Sequence, residues 1–316
     1  MDPLAGLLDG PRARGAFLLR MVMEPPWSVR IEDRAPLCVM TVARGEAWVV
    51  PEGGDPEKGV RLVPGDVAIV RGPDPYTVAD DPATRPQAWI LPGEVCRTAE
   101  GEDLAERMAL GVRTWGNSEH GSATMLVGTY RMDGEISRRL LDALPPLLVL
   151  PGEECGSPLL SWLGEEIVKD ETGQTAVLDR LLDLVLISVL RAWFARPEAR
   201  APAWYRALGD PVVGRALRLL QNHPAHPWTV ALLAERTGVS RAALARRFTE
   251  LVGEPPMAYL TGWRLTLAAD LLREPDATLG AVARRVGYGS PYALSSAFKR
   301  VRGVSPQEHR SAASAG

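Results

Sequence analysis

The sequence predicts an α+β multidomain chain: a β-rich N-terminal domain, a helical segment suited to dimerisation, and a C-terminal all-α module of two helix-turn-helix subdomains. Three observations carry the prediction. One helical pattern occurs twice near the C-terminus, the two copies lying about fifty residues apart. The region from Phe17 to about Glu94 is cut by Gly and Pro into short apolar or alternating runs, the texture of evenly spaced strands. Basic charge is concentrated where the repeat lies: from Tyr205 onward there are 15 Lys and Arg against 8 Asp and Glu, a net of +7, which leaves 21 against 31 and a net of −10 elsewhere. A basic third beside an acidic remainder points to a nucleic-acid-binding module tied to something of another kind.

The later copy of the pattern runs from Thr278 to Arg310. Leu279, Val282 and Ala283 form the apolar stripe of a first short helix, which Gly287 and Gly289 break. Ser290 then stands at an N-cap with Pro291 at the first helical position, and Leu294 with Phe298, four apart, gives a second helix its buried face. The earlier copy, Trp228 to Phe248, aligns with it throughout. Val230, Leu233 and Ala234 form the stripe, Gly238 the break and Ser240 the cap, with Leu244 and Phe248 as the buried pair. This is helix-turn-helix geometry, in which the second helix of each unit is offered to a major groove.

At 316 residues, 46% apolar and 24% charged, the chain has ordinary globular composition and length for about two domains. No segment approaches the ~18 uninterrupted apolar residues that span a bilayer. The longest, Leu181 to Phe194, is interrupted by Asp183 and Arg191. The N-terminus lacks the layout of a signal peptide, so a cytoplasmic protein without membrane partners is expected. Cys38, Cys96 and Cys155 are odd in number, widely spaced and form no CxxC pair or zinc spacing.

In chain order, Leu4, Leu7 and Leu8 suggest a short amphipathic helix within residues 1–20. The strand-like runs that follow suggest a small antiparallel barrel or sandwich, with Met125 to Tyr130 adding a further strand. LLDALPPLLVLP reads as a short helix, a turn and an apolar strand. From Pro158 the texture is helical, and the stripe Leu178, Leu181, Leu182, Val185, Leu186, Val189, Leu190 and Trp193 is broad enough to pack both on the β-rich domain and on a second copy of itself. The proline-rich ARPEARAPAW is the linker. The expected domains are 1–195, a linker at 196–209, and 210–311, with helix-turn-helix units at about 230–250 and 278–300.

In the first reading helix the residues off the buried face are Arg241, Ala242, Ala245, Arg246 and Arg247. Arginine pairs bidentately with guanine O6 and N7, which makes Arg246 the first choice for base readout, while Arg241 and Arg247 suit phosphate. The second helix presents Pro291, Tyr292, Ser295, Ser296, Lys299 and Arg300, with no arginine in its middle. Its base contacts should therefore be weaker, with Lys299 and Arg300 on phosphate. The helix between them packs through Trp263, Leu267 and Leu271, and Arg264 suits a structural or phosphate role.

The residues RRVGYGSPYALSSAFKRVRGVSPQEHR, with RTGVSRAALARRF upstream and YLTGWRLTLAADLLR between them, resemble the AraC/XylS family of bacterial transcription regulators over about the last hundred residues. The resemblance implies a seven-helix module that sets two recognition helices in successive major grooves on one face of promoter DNA. It also implies a homodimer, and RNA polymerase as a partner if the protein activates. PPWSVR, GDVAIVRGPDPYTVADDP, LVGTYRMD and LLDALPPLLVLPG are similar to the cupin-type sensor domain of many members, so the N-terminal domain is expected to be a cupin-like β-barrel that senses a small molecule or stress signal.

This chain departs from that pattern in places. Cys38 and Tyr76 stand where histidine is usual, Val127 where a cysteine precedes glycine, and His120 is the one histidine outside the C-terminal module and its edge. A cupin enzyme needs a His/Glu metal cluster, so no catalytic residue, metal or cofactor is expected. Two alternatives stay open for the N-terminal domain: a thiol-based redox sensor, and a cupin serving only for oligomerisation. A ligand pocket, if present, belongs in the barrel interior near Met40, Trp48 and Trp89.

Overall fold

The computed structural model describes residues 17–53, 59–130, 134–155, 158–196, 199, 201–274 and 276–314. The amphipathic piece carrying Leu4, Leu7 and Leu8 lies outside the described residues. The chain divides into two compact units, one of residues 17–130 and 144–199 and the other of residues 134–143 and 201–314.

Among the described residues the first unit is built on thirteen strands: β1 (Phe17–Met23), β2 (Ser28–Ile31), β3 (Leu37–Arg44), β4 (Ala47–Pro51), β5 (Val60–Leu62), β6 (Val67–Arg71), β7 (Tyr76–Ala79), β8 (Ala88–Leu91), β9 (Val95–Arg97), β10 (Ala109–Gly111), β11 (Thr114–Gly116), β12 (Ala123–Tyr130) and β13 (Leu147–Leu150). They form a seven-stranded sheet in the order β10-β11-β1-β12-β3-β6-β13 and a six-stranded sheet in the order β5-β4-β7-β2-β8-β9. The expected closed barrel is not formed. Each sheet ends in strands with one neighbour, so the domain is an open stack of two sheets, the sandwich alternative. Nor is the pairing purely antiparallel: β1 runs parallel to β11 and β2 parallel to β8. Alternation in sequence sets which face a residue takes, and leaves strand direction and closure undetermined.

Alternation explains the core. Met21 of β1, Met40 of β3 and Met125 of β12 meet Val29, Val49, Val78 and Ala88 of the other sheet in one buried cluster. Trp48 and Trp89 alternate with the core residues of their strands, Val49 and Ala88, and lie on the opposite face, half-buried. The expectation that they line the interior is corrected on that ground.

The remaining elements are helical: α1 (Glu135–Leu141), α2 (Gly152–Cys155), α3 (Pro158–Glu166), α4 (Gln174–Ala195), α5 (Ala203–Ala207), α6 (Val213–Asn222), α7 (Val230–Thr237), α8 (Arg241–Val252), α9 (Pro256–Leu271), α10 (Leu279–Val286), α11 (Pro291–Arg302) and α12 (Pro306–Ser314). The broad stripe on α4 is largely covered by its own chain: Leu178, Leu181, Leu182, Val185, Leu186, Val189 and Leu190 are all buried, and Trp193 is half-buried beneath the Arg196 guanidinium. Gly128 of β12 lets α4 approach, since a β-carbon there would stand 2.8 Å from the Leu182 methyls. Two residues on, the buried Tyr130 hydroxyl donates to the Leu182 carbonyl at 2.8 Å. Replacing Tyr130 with Phe removes this bond while the carbonyl keeps its place in the helix, and should lower the stability of this unit by about 1 kcal/mol in denaturant titration. An unchanged midpoint would show that the bond does not anchor α4.

Candidate nucleic-acid interface

Each helix-turn-helix is set by the same few residues. Thr229 caps α7 by accepting from the Leu232 amide at 3.1 Å, and Ser240 caps α8 by accepting from Ala243 at 3.2 Å. Between them Gly238 takes the left-handed conformation at φ 75°, which turns the chain sharply without a β-carbon clash. The second unit repeats this with Thr278 on Ala281 at 3.2 Å, Gly287 at φ 87°, and Ser290 on Ala293 at 3.1 Å. Leu244 and Phe248 of α8, and Leu294 and Phe298 of α11, are wholly buried. Pinning one face of each helix this way leaves the other to solvent.

Helix α9 links the two units. Tyr259, Leu260 and Trp263 belong to the core around Phe248, whereas Leu265, Ala268 and Ala269 belong to the core around Phe298. Arg264 sits at the junction. Its guanidinium donates to the carbonyls of Pro224 at 2.7 Å and His226 at 2.9 Å, tying the segment before α7 to the middle of α9. Burial pushes this guanidinium below its ordinary range. Gly287 completes the junction: a side chain there would meet the Ala225 backbone at 2.7 Å and the Arg264 guanidinium at 2.9 Å. Arg264 is thus a structural tie.

The solvent face of α8 carries Arg241, Ala242, Arg246 and Arg247, with Ala245 half-buried beside them. That of α11 carries Pro291, Tyr292, Ser296, Lys299 and Arg300, with Ser295 half-buried. The two adjacent arginines differ. The Arg246 side chain is 78% exposed, and its nearest anion is Glu250, one turn on at 3.8 Å. Arg247 is held by Asp210, whose Oδ2 lies 2.9 Å from its Nε and 2.5 Å from its Nη2. Asp210 in turn accepts from the amides of Val212 at 3.0 Å and Val213 at 2.9 Å, capping the start of α6. Burial alone would raise the Asp210 carboxyl, but those amides and the Arg247 guanidinium more than offset it and hold it below the usual carboxylate range.

The β-rich unit holds a cavity of about 430 Å³ between its sheets. Leu19, Met21, Met40, Val78, Met125 and Val127 give it an apolar lining, to which Asp33, Arg34 and Glu94 add charged groups. Arg34 and Glu94 both adopt left-handed backbone conformations, at φ 59° and 65°. Of the residues expected near the interior, Met40 lines the cavity and the two tryptophans do not. Cys38 and Cys96 are buried free thiols. Burial pushes Cys38 up to about 12 despite a hydrogen bond to Tyr76, and Cys96 to about 11. Among the described residues no group of three or more His, Cys, Asp or Glu side chains gathers as a metal site, and no helix is long and apolar enough to cross a membrane.

Sequence reasoning missed Asp210 as the partner of Arg247. The cap was readable from an acid just ahead of a helix; the bridge joins residues 37 apart and left no local signal. Because Asp210 is depressed, the bridge stabilises fully above the ordinary carboxylate pKa and is lost as pH falls through the lowered value. Arg247→Ala should therefore cost about 1 kcal/mol in thermal denaturation at neutral pH, a deficit that shrinks as the pH drops below about 4, while Arg246→Ala should leave the midpoint unchanged.

A family model described as cupin matches residues 2–195, and a model described as a helix-turn-helix domain matches residues 233–312. An AraC-like transcription regulator of Streptomyces lividans is 33% identical over 314 residues, 98% of each chain. The HTH-type transcriptional regulator AlkR of Acinetobacter baylyi is 26% identical over 318 residues, 98% of this chain and 99% of that one. Among solved structures, the DNA-binding domain of AdpA in complex with a target DNA is 36% identical over 33% of this chain and 93% of that one, with a TM-score of 0.31. With a cupin domain ahead of a helix-turn-helix domain and a full-length relative at one-third identity, the chain belongs to the AraC-like, DNA-binding transcription regulators.

Proposed function

We propose that α8 and α11 read promoter DNA, with α8 the more base-specific of the two. The observation behind this is the contrast between their faces: each helix is capped and pinned by a buried Leu–Phe pair, yet only α8 carries a freely exposed arginine at its centre. Arg246 reaches a guanine edge and Arg241 a phosphate. Arg247 is assigned to holding α8 against α6. On α11, Pro291 and Tyr292, which is 83% exposed, meet thymine methyls; Ser295 and Ser296 supply hydroxyl hydrogen bonds, and Lys299 and Arg300 contact phosphate. The protein works in the cytoplasm, where promoter DNA is, and meets RNA polymerase if it activates.

The β-rich unit is the sensor in this reading, and its effector is a small, mainly apolar molecule with one polar end, matching the cavity. A thiol switch is less well supported, because a buried thiol held near 12 yields almost no thiolate at neutral pH. Homodimerisation would use the outer side of α3 and α4, where Trp162, Val177 and Leu184 are exposed and the last two lie seven apart on one face.

Two measurements test this. In anisotropy titrations against a duplex selected by the protein and against random DNA, Arg246→Ala should cost about 1–3 kcal/mol on the selected duplex alone, whereas Lys299→Ala should weaken both and reduce the salt dependence. Equal loss on both duplexes for Arg246→Ala would remove its reading role. In a thermal-shift screen, apolar compounds with a polar terminus should raise the melting midpoint, and Met125→Trp, by filling the cavity, should abolish the shift. A shift that survives Met125→Trp would place the effector elsewhere.

A further inference from the structure

Helix α1 is spliced in sequence between β12 and β13 of the sensor, yet it packs in the DNA-binding unit. Its attachments there are specific. The Glu135 amide donates to Asp270 Oδ1 of α9 at 2.6 Å, and the Glu135 carboxylate pairs with Arg302, in the last turn of α11, at 3.0 Å. The Arg302 guanidinium also lies over the Phe298 ring, which anchors that reading helix. One turn further along α1, the Arg139 guanidinium stacks 5.6 Å from the Trp204 ring centre and 5.2 Å from that of Tyr259. Ser137 and Leu140 are buried between these points. Gly134, at the start of the helix, admits no side chain freely, since a β-carbon would stand 3.0 Å from Asp270 Oδ1.

These contacts fall on two different cores. Trp204 and Tyr259 belong to the core of the first helix-turn-helix, whereas Arg302 and Phe298 belong to the second reading helix and its core. From these contacts we infer that α1 is a clasp, carried by the sensor chain, that holds the two helix-turn-helix subdomains in one relative orientation, with Glu135 and Arg139 as its positioning residues. Two reading heads held at a fixed separation act as a bivalent binder, and loosening their relation lowers the effective concentration of the second head without touching either contact surface. In sequence, three residues separate Gly134 from Tyr130, which lines the cavity with Thr129.

The inference rests on the proposed DNA reading, and the test separates the two. Full-length protein, wild type and a Glu135→Gln/Arg139→Gln double variant, is titrated against three duplexes: one bearing both half-sites as selected by the wild type, the same with about two base pairs inserted between them, and one with a single half-site. The wild type should bind the first tightly and lose affinity sharply on the second. The variant should lose about tenfold or more on the first, lose little further on the second, and match the wild type on the single half-site. Arg139→Lys, which keeps a cation over the two rings, should restore part of the difference. Should the double variant fail to fold, Glu135→Gln alone, which keeps the shape of the side chain, gives the same comparison. A variant that keeps wild-type affinity and spacing preference, or that loses equally on all three duplexes, overturns the clasp. A wild type that selects no duplex overturns instead the DNA reading beneath it.

Discussion

Helix α9 buries Tyr259, Leu260 and Trp263 in one helix-turn-helix core and Leu265, Ala268 and Ala269 in the other, and that double packing places α8 and α11, the two helices proposed to read DNA. At 16 residues it is about 24 Å long, so its two ends seat heads at a separation that a flexible joint would not keep. The buried pairs on α8 and α11 fix which face each head turns outward. Capping serines and left-handed glycines set where each begins, and Arg264 closes the junction by binding two carbonyls ahead of α7. Truncating a side chain such as Phe248 or Phe298 would cost several kcal/mol, on the order of 3–5, and release a whole face of arginines from its orientation. The orientation of both exposed helix faces is therefore a consequence of core packing more than of any single surface residue.

The β-rich unit solves a different problem. Its two sheets bury a common core around a cavity lined mainly by methionine, valine and leucine side chains, with Asp33, Arg34 and Glu94 also in the lining. A ligand that fills such a space stabilises the fold in proportion to its affinity and concentration. The two buried thiols beside this space are held protonated by desolvation, so oxidation chemistry has no ready thiolate there. Helix α4 closes the other side of the seven-stranded sheet through Leu182 and Tyr130, and Tyr130 touches both the cavity and that helix.

Much of the DNA-reading unit was legible because its determinants are local. A cap, a glycine and an i,i+4 Leu–Phe pair lie within about twenty residues of one another in each copy, and the duplication removed the ambiguity of either copy alone. The β-rich unit was legible as strands and not as a topology. Alternation showed which residues face inward on β3 and β12, but two parallel pairings and the open sheet edges depend on contacts far apart in sequence. Trp48 and Trp89, expected near the interior, are set on the opposite face by strand parity, since Val49 and Ala88 beside them take the core positions. The Arg247–Asp210 bridge and the docking of α1 were invisible for the same reason. Glu135 and Asp270 are 135 residues apart, and no periodicity links them.

We propose that helix α9 acts as one rigid spine that presents α8 and α11 to one face of promoter DNA. Hydroxyl-radical footprinting of the full-length protein on a selected promoter fragment addresses it directly. Two protected patches are expected about 10–10.5 base pairs apart on the same face of the duplex, with the sharper sequence requirement at the patch covered by α8. A single patch, or two patches on opposite faces, would contradict it.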